Sequence, residues 1–183
     1  MTVLSREQIH ERARRVRLVS CDVDGVLTDG RVYVDDEGRE TKAFHALDGV
    51  GIHLLDNAGI VVAWITGSSA PAVAHRARML GVRHVIQDAS DKLAVWQTLI
   101  RQLRLEPAQC AHIGDDLPDA PLLSACGLAG TVPHAPASVR ALAHYVTSLE
   151  GGFGAVRDFA ELILGAQGRL DDVGPTRVPT FIP

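Results

Sequence analysis

Two aspartates placed two residues apart, Asp22 and Asp24, are the first candidates for chemistry in this sequence. They follow the apolar run at residues 17–21, which is typical of a buried strand, and they precede Gly25 and Gly30. Carboxylates this close repel each other unless a cation neutralises them, so a metal site is the first hypothesis. The glycines allow the backbone to turn away from the strand, which would let Asp22 face a ligand as a nucleophile. For the pair alone, an ordinary Asp/Gly turn remains an alternative.

Three later segments carry polar groups at the ends of other apolar, strand-like runs. Thr66 and Gly67 can present a hydroxyl and backbone N–H groups to an anion, although a simple turn is the plain alternative. Lys92 lies at the start of a predicted helix, where the helix dipole disfavours a cation, so we expect a functional role for it; a solvated lysine of the first helical turn is the alternative. The third segment is a second carboxylate cluster, which consists of Asp115, Asp116 and Asp119.

Apolar runs alternate with amphipathic patterns along most of the chain, which predicts an α/β fold with a Rossmann-like parallel sheet and helices on both faces. Strands are predicted at residues 17–22, 60–65, 84–87, 110–114, 126–130 and 144–147. Helices are predicted at residues 5–15, 50–58, 70–80, 91–104, 117–124, 136–142 and 154–165. Ligands of such open sheets bind at the carboxyl ends of the strands, where all of the polar segments lie.

Residues 31–45 interrupt this alternation. Two short runs flank the Asp/Gly-rich turn at residues 35–38, which predicts a projecting β-hairpin. The hairpin is either a simple excursion from the core or a device for subunit assembly, because two strands alone are marginally stable. The intervals 30–48 and 66–92 are too short to hold a further domain.

The order of these motifs resembles the four motifs of the haloacid dehalogenase (HAD) superfamily of phosphohydrolases, over nearly the whole chain. The amino-acid sequence of the motifs is more similar still to that of the 3-deoxy-D-manno-octulosonate 8-phosphate (KDO 8-phosphate) phosphatase family. The segments that carry this resemblance are residues 22–30, 42–44, 48–52, 114–116 and 154–157. It implies an enzyme without a cap domain, assembled as a homotetramer through its hairpins, with active sites near subunit boundaries.

The resemblance and the residue types together imply a mechanism. Asp22 would attack the phosphorus of a phosphate monoester and form an aspartyl-phosphate. Asp24 would protonate the leaving oxygen and later take a proton from water. Mg²⁺ would be held by the Asp22 and Asp115 carboxylates and the Asp24 backbone carbonyl, because a small hard cation prefers oxygen ligands.

Other residues are expected to support this reaction. Thr66, the Gly67 backbone and Lys92 would hold the non-bridging phosphoryl oxygens, where charge must be stabilised during transfer. Asp116 and Asp119 are expected to hold Lys92 or metal-bound waters, with Asp116 as the favoured outer partner of the metal.

The substrate side is expected to include Asp48, Arg76 and Arg157. Family members that act on KDO 8-phosphate commonly carry basic residues at two positions where this chain has Ser68 and Phe153. The Asp48 segment still favours KDO 8-phosphate, and a phosphatase for a nonulosonate 9-phosphate with the same mechanism is the alternative. A non-enzymatic phosphoacceptor or a scaffold protein is less favoured, since every motif residue is present.

Length and composition agree with one enzyme domain, expected over residues 1–165, followed by a C-terminal tail at 166–183. The chain has 183 residues and a formal net charge of −4, which argues against a general nucleic-acid surface. No apolar stretch is long enough for a bilayer and no signal-peptide pattern is found, so a cytoplasmic protein is expected. The three cysteines form no CxxC pair and are expected to be reduced core thiols. Disorder is the default for the tail, and the alternative is that its apolar end covers a neighbour's active site.

Overall fold

A six-stranded parallel sheet forms the centre of the structure, a computed structural model that describes residues 4–170. A separate two-stranded sheet adds the hairpin. In chain order the strands are β1 (Leu18–Cys21), β2 (Tyr33–Val34), β3 (Glu40–Thr41), β4 (Val61–Ile65), β5 (His84–Ile86), β6 (Cys110–Ile113), β7 (Leu128–Thr131) and β8 (Tyr145–Val146). The α-helices of this part of the chain are α1 (Arg6–Arg14), α2 (Ala46–Asn57), α3 (Pro71–Met79), α4 (Lys92–Gln102), α5 (Ala120–Ala125), α6 (Ala137–Arg140) and α7 (Ala155–Ala166).

The strand order β5-β4-β1-β6-β7-β8 places β1 near the middle of the main sheet. Cys21, the last residue of β1, is in register with Trp64 of β4 and Ile113 of β6, and both pairings are parallel. Because parallel strands end at the same edge, Asp22 and Thr66 both leave the sheet at this edge. The second acid cluster follows β6 there as well, as the sequence predicted.

Helices flank the sheet in two packed groups. Helix α7 packs against both α1 and α2, and α4 packs against α5. The largest fully buried side chains include Trp64, Trp96 and Phe159, so aromatic rings fill the space between the sheet and its helices. The predicted α/β fold is therefore confirmed.

Helix α2 begins four residues before its predicted start. Its N-cap is His45, whose Nδ1 accepts a hydrogen bond from the Leu47 backbone N–H at 3.2 Å. Histidine is an uncommon N-cap, and the two glycines of α2 weaken the helical pattern. These two features explain why the sequence pattern gave a later start.

The predicted hairpin is confirmed. Strands β2 and β3 pair antiparallel, with Tyr33 opposite Thr41. The turn between them is held by the Asp35 carboxylate, which accepts hydrogen bonds from the backbone N–H groups of Glu37 and Arg39. Only this hairpin lies between β1 and α2, and only α3 and β5 lie between residues 66 and 92, so neither interval holds a cap domain.

The end of the described chain packs against its beginning. The Gln167 side-chain amide donates to the carbonyl oxygens of Ala13 and Val16, at 3.0 Å each. The hypothesis of a tail that covers a neighbour's site concerns residues 171–183, which lie outside the described residues. Within residues 4–170, none of the helices combines the length and the apolar character that a membrane span needs.

Candidate active site

Asp22 lies directly after β1 and its side chain is almost completely buried, with 6% of the residue exposed. Its Oδ1 accepts a hydrogen bond from the Val23 backbone N–H at 2.7 Å and lies 2.9 Å from the Lys92 ammonium. Both contacts go to one oxygen, so they fix the orientation of the carboxylate. Burial, followed by the nearby Asp119 charge, raises the pKa of Asp22 in the metal-free protein.

Lys92 is the first residue of α4, and its ammonium lies between two carboxylates. The Nζ atom is 2.9 Å from Asp22 Oδ1 and 2.8 Å from Asp119 Oδ1, and only 7% of the lysine is exposed. Burial lowers the pKa of Lys92, but the two carboxylates outweigh burial and raise it above its usual value. The two acids thus offset the unfavourable position of a cation at the start of a helix.

Asp119 is completely buried and every oxygen of its carboxylate is engaged. Oδ1 meets the Lys92 ammonium and lies 3.2 Å from His112 Nε2, while Oδ2 accepts from the Asp115 backbone N–H at 3.3 Å. Burial opposes the charge of Asp119, but His112 and Lys92 hold its pKa well below the usual range. Asp119 therefore links the lysine to the backbone that carries Asp115.

Asp116, by contrast, is exposed, and its carboxylate accepts a hydrogen bond from the backbone N–H of Leu117 at 2.7 Å. It caps the short 3₁₀ helix at Leu117–Asp119. Of the two acids, Asp119 is the one that contacts Lys92, and the expected role of Asp116 as the outer partner of the metal stays a prediction. The spacing of Asp116 and Asp119 in the sequence did not show which of the two is buried, because that depends on the 3₁₀ turn.

Three acids are close enough to share one metal ion. One carboxylate oxygen from each lies within 4.8 Å of the others, and the three are Asp22, Asp115 and Asp119. Burial and the Asp119 charge raise the pKa of Asp115 to about 6, as expected for carboxylates that repel each other without a cation. An all-oxygen cluster of this kind suits a hard divalent cation such as Mg²⁺. Both oxygens of Asp119 already have protein partners, whereas the contacts of Asp22 with Val23 and Lys92 use only Oδ1, so Asp22 and Asp115 are the acids better placed to bind the ion.

Two glycines bring the backbone close around this cluster. A Cβ atom on Gly25 would lie 2.0 Å from Asp115 Oδ2, and Gly25 has a φ of +84°, a conformation that favours glycine. A Cβ atom on Gly151 would lie 1.7 Å from the Gly25 carbonyl oxygen. The loop before α7 thus packs directly on the turn that carries Asp22.

Asp24 is half-buried and is held by a residue of the hairpin. Lys42 Nζ lies 2.5 Å from Asp24 Oδ1 and 2.5 Å from Glu40 Oε1. Burial lowers the pKa of Lys42, but the hydrogen bonds to the two carboxylates outweigh burial and raise it. The hairpin therefore places the Lys42 ammonium against Asp24, the second aspartate of the pair.

Thr66 and Gly67 form the loop after β4. The buried Thr66 hydroxyl accepts from the Ser68 backbone N–H at 3.0 Å, and the Ser68 hydroxyl accepts from the Ala70 N–H at 3.2 Å. Gly67 is exposed at the same sheet edge as Asp22. This placement is compatible with an anion site, and the phosphate role of the loop stays a prediction.

Asp48 is buried and binds backbone groups of another helix, and its expected role as a substrate contact stays a prediction. Only 2% of the residue is exposed, and its carboxylate accepts from the backbone N–H groups of Gly154, Val156 and Arg157 at 3.2, 2.9 and 3.1 Å. These groups are the unpaired donors at the start of α7, which has no side-chain cap of its own. Asp48 is a buried helix cap supplied by α2.

The two predicted substrate arginines lie elsewhere in the fold. Arg157 donates through Nε to Glu161, one turn further along α7, at 2.6 Å. Arg76 lies in α3 against α2, with a terminal nitrogen 2.9 Å from the position of a Cβ on Gly49. Burial lowers the pKa of Arg76, while Asp48 opposes this change. The substrate roles of both arginines stay predictions.

Two residues of this site had no role in the sequence analysis. Lys42 follows the exposed strand β3, and the family resemblance pointed to residues 42–44 without giving the lysine a role. His112 is fully buried in β6, and a lone histidine inside an apolar strand was the available signal. Its Nδ1 lies 2.9 Å from the Ser20 hydroxyl of β1, so a polar chain runs from β1 to Asp119.

Comparisons with known proteins agree with this arrangement. A family model for haloacid dehalogenase-like hydrolases matches residues 47–127. The 3-deoxy-D-manno-octulosonate 8-phosphate phosphatase KdsC of Yersinia pestis is 44% identical over 90% of this chain and 88% of its own. The Moraxella catarrhalis phosphatase of the same name, solved with magnesium, phosphate and KDO, has a TM-score of 0.89 at 43% identity, covering 91% of this chain and 95% of its own. The cobalt-bound Haemophilus influenzae phosphatase has a TM-score of 0.83 at 38% identity, covering 86% and 92%.

The sheet order, the acid pair after β1 and the family match agree, and they define a hydrolase of the haloacid dehalogenase class. Its active-site edge carries no cap domain within residues 4–170. Within this class, the chain belongs to the 3-deoxy-D-manno-octulosonate 8-phosphate phosphatase family, which the sequence resemblance predicted.

Proposed function

We propose that this protein hydrolyses KDO 8-phosphate to KDO and inorganic phosphate, in a Mg²⁺-dependent reaction of lipopolysaccharide sugar synthesis. The observation that carries the proposal is the buried arrangement of Lys92 between Asp22 and Asp119. It holds a carboxylate nucleophile and a phosphate-binding cation at one sheet edge. The identity to KDO 8-phosphate phosphatases over most of the chain supports the choice of substrate.

The metal site consists of the Asp22 and Asp115 carboxylates and the Asp24 backbone carbonyl. When bound, Mg²⁺ neutralises the carboxylates and polarises the phosphoryl group as a Lewis acid. The pKa of Asp115, raised to about 6 by burial and then by the Asp119 charge, supports this assignment because a nearby cation would stabilise the charged carboxylate. The Asp119 oxygens hold Lys92 and the Asp115 backbone, which keeps the ligand acids in place.

Asp22 acts as the nucleophile. Its carboxylate oxygen forms a bond to phosphorus while the bond from phosphorus to the sugar oxygen breaks, and Asp24 gives its proton to that oxygen. In the second step Asp24 takes a proton from water, whose oxygen bonds to phosphorus and releases Asp22. Lys42 orients Asp24 for both transfers through the 2.5 Å contact.

Lys92, the Thr66 hydroxyl and the Gly67 backbone bind the non-bridging oxygens of the phosphoryl group. A buried ammonium is effective here because charge interactions strengthen where water is excluded. Lys92 has no conformational freedom to lose on binding, since two carboxylates already fix its position. This preorganisation favours the transition state over the substrate.

A second substrate, a nonulosonate 9-phosphate, is favoured by one feature of the site mouth. The loop that packs on the Asp22 turn carries Phe153, which is 55% exposed, where the family commonly has a basic residue. Its ring centroid lies 6.3 Å from that of His45. With Ser68 in place of the other basic residue, the chain lacks two cations that family members acting on KDO 8-phosphate commonly carry.

We also propose a cytoplasmic homotetramer with active sites near subunit boundaries. The exposed apolar residues of the hairpin, Val32 and Val34, support assembly through this element. Three buried free thiols support a reducing compartment; they are Cys21, Cys110 and Cys126. Residues 1–165 are proposed as the catalytic domain and 166–183 as a tail.

The test is phosphate release with Mg²⁺ from KDO 8-phosphate, nonulosonate 9-phosphates and simple sugar phosphates. Asp22→Asn is the control, because the amide keeps the shape and removes the nucleophile. We expect a strong preference for KDO 8-phosphate that the control abolishes. Preference for a nonulosonate 9-phosphate would support the second candidate, and no Asp22-dependent release from any of them would overturn the phosphatase proposal.

A further inference from the structure

Gln87, the residue after β5, binds two carbonyl groups of the β4 loop, which consists of residues 66–70. Its side-chain nitrogen donates to the carbonyl oxygen of Ser68 at 3.2 Å and to that of Ala70 at 3.0 Å. A side-chain amide has two N–H donors, so both are used by these two oxygens. One glutamine therefore holds the β4 loop at two points.

The backbone after β5 holds the same loop. The Thr66 N–H donates to the Ile86 carbonyl oxygen, and the Ala89 N–H donates to the Thr66 carbonyl oxygen, both at 3.0 Å. Asp88, which lies between Gln87 and Ala89, has a φ of +53°, a left-handed conformation that is uncommon for residues with a side chain. Such conformations persist where the surrounding contacts stabilise them, so the turn that carries Gln87 is itself fixed.

These hydrogen bonds determine the direction of a backbone donor in the β4 loop. The Thr66 carbonyl points toward Ala89, on the side of β5, and a planar trans peptide places the Gly67 N–H on the opposite side. Strand β4 lies between β5 and β1 in the sheet, so the Gly67 N–H points to the side of β1. The loop therefore presents this donor on the side of the strand that ends at Asp22.

Gln87 acts on the other donors of the loop through Ser68. The Ser68 N–H donates to the Thr66 hydroxyl oxygen at 3.0 Å. A hydroxyl whose oxygen accepts a hydrogen bond still has its own proton to donate, so the Thr66 hydroxyl can bind an anion. Because the Ser68 carbonyl binds Gln87, the Ser69 N–H points away from Gln87. The position of Ser68 thus sets the direction of two further donors.

We propose that Gln87 is a positioning residue, which holds the β4 loop in the conformation that binds the phosphoryl group. It acts through the carbonyl groups of Ser68 and Ala70 and touches no substrate atom. The inference rests on the proposed function in one respect, the assignment of Thr66 and Gly67 to the phosphoryl oxygens. A loop that is already ordered loses less conformational entropy when an anion binds, so Gln87 contributes to the affinity for the phosphoryl group.

The test is the affinity of the full-length, Mg²⁺-loaded protein for inorganic phosphate, the proposed product. Gln87→Met keeps the length of the side chain and removes both donors. Isothermal titration should show an affinity about tenfold lower than in the unsubstituted protein, because two hydrogen bonds that order the loop are lost. Gln97→Met makes the same substitution at an exposed residue of α4 and should leave the affinity unchanged.

Steady-state kinetics provide a second readout. Since the loop binds the phosphoryl oxygens before and during the reaction, KM for the preferred phosphate monoester should rise about tenfold in Gln87→Met, while kcat changes less than about twofold. Gln87→Glu has the same shape but no donor for the two carbonyl oxygens, so its loss of affinity should be at least as large. Thermal unfolding of both variants sets a temperature at which each is folded, so a loss of affinity there comes from the loop.

The outcomes separate this inference from the proposed function. A phosphate affinity of Gln87→Met equal to that of the unsubstituted protein overturns the inference, as does a fall in kcat with KM unchanged. Phosphate release that depends on Asp22 would stand in both cases. If no phosphate monoester is hydrolysed but Gln87→Met still weakens phosphate binding, the proposed function is wrong and the positioning role of Gln87 stands.

Discussion

Lys92 Nζ and Asp119 Oδ1 lie 2.8 Å apart, and both side chains are buried at the carboxyl-terminal edge of the sheet. The contact joins the first residue of α4 to the loop after β6, two segments that are 27 residues apart in the chain. It fixes the lysine in front of the nucleophile before any substrate arrives.

Asp119→Asn should lower kcat at least tenfold while KM changes less. The amide leaves the Lys92 ammonium with one carboxylate, Asp22, so the lysine is drawn toward the nucleophile and away from the phosphoryl oxygens. Breaking a buried pair also costs about 3–5 kcal/mol of stability, which a urea titration would measure. Asp116→Asn is the matched control, because Asp116 is exposed; an equal loss in the control would contradict the assignment of Asp119.

Lys42→Met should lower kcat about tenfold, since Asp24 loses the donor that orients it for proton transfer. Methionine keeps most of the aliphatic stem, so packing of the hairpin on the site is preserved. Steady-state kinetics would measure the effect. Glu40→Gln removes the other partner of Lys42 but leaves the contact with Asp24, and should change kcat less than about twofold. If the two variants behave alike, the contact with Asp24 has no special role.

Asp48→Asn should destabilise the protein by about 3 kcal/mol, because one oxygen that accepts backbone N–H groups of α7 becomes an amide that cannot accept. The free energy of unfolding from a urea titration is the measurement. Asp56→Asn, at the exposed end of α2, should stay within about 0.5 kcal/mol of the unsubstituted protein. A stable Asp48→Asn variant with a raised KM would support the predicted substrate role.

The sequence predicted the parallel sheet and the edge of the sheet at which the polar motifs lie. Both predictions rest on local signals, namely apolar runs for the strands and polar residues where the strands end. The contacts of Asp48 and Asp116 could not be predicted from the sequence, for a shared reason. The orientation of the Asp48 carboxylate is set by contacts with residues far along the chain. The orientation of the Asp116 carboxylate is set by one 3₁₀ turn. The Lys42 contact with Asp24 was also out of reach, since it needs the three-dimensional path of the hairpin.

Metal affinity should depend on pH through Asp115. Burial and Asp119 raise the pKa of this acid to about 6, so the metal-free protein holds a proton there below that pH. The metal needs the carboxylate, and binding must release the proton, so affinity weakens as pH falls. Between about pH 7.5 and about pH 5, Mg²⁺ affinity should drop about tenfold. Isothermal titration at both values tests this, and affinity that does not change with pH would contradict the raised pKa.

Assembly through the hairpin can be tested by charge. Val32 and Val34 are exposed apolar residues of the hairpin, with 73% and 59% of each residue accessible in the single chain. If they pack between subunits, the double substitution Val32→Asp and Val34→Asp should dissociate the tetramer, because buried unpaired carboxylates are costly. Sedimentation velocity would show the fall in mass, with Met79→Asp, at an exposed apolar residue of α3, as the control that keeps it. A tetramer that survives the double substitution would place the interface on another surface.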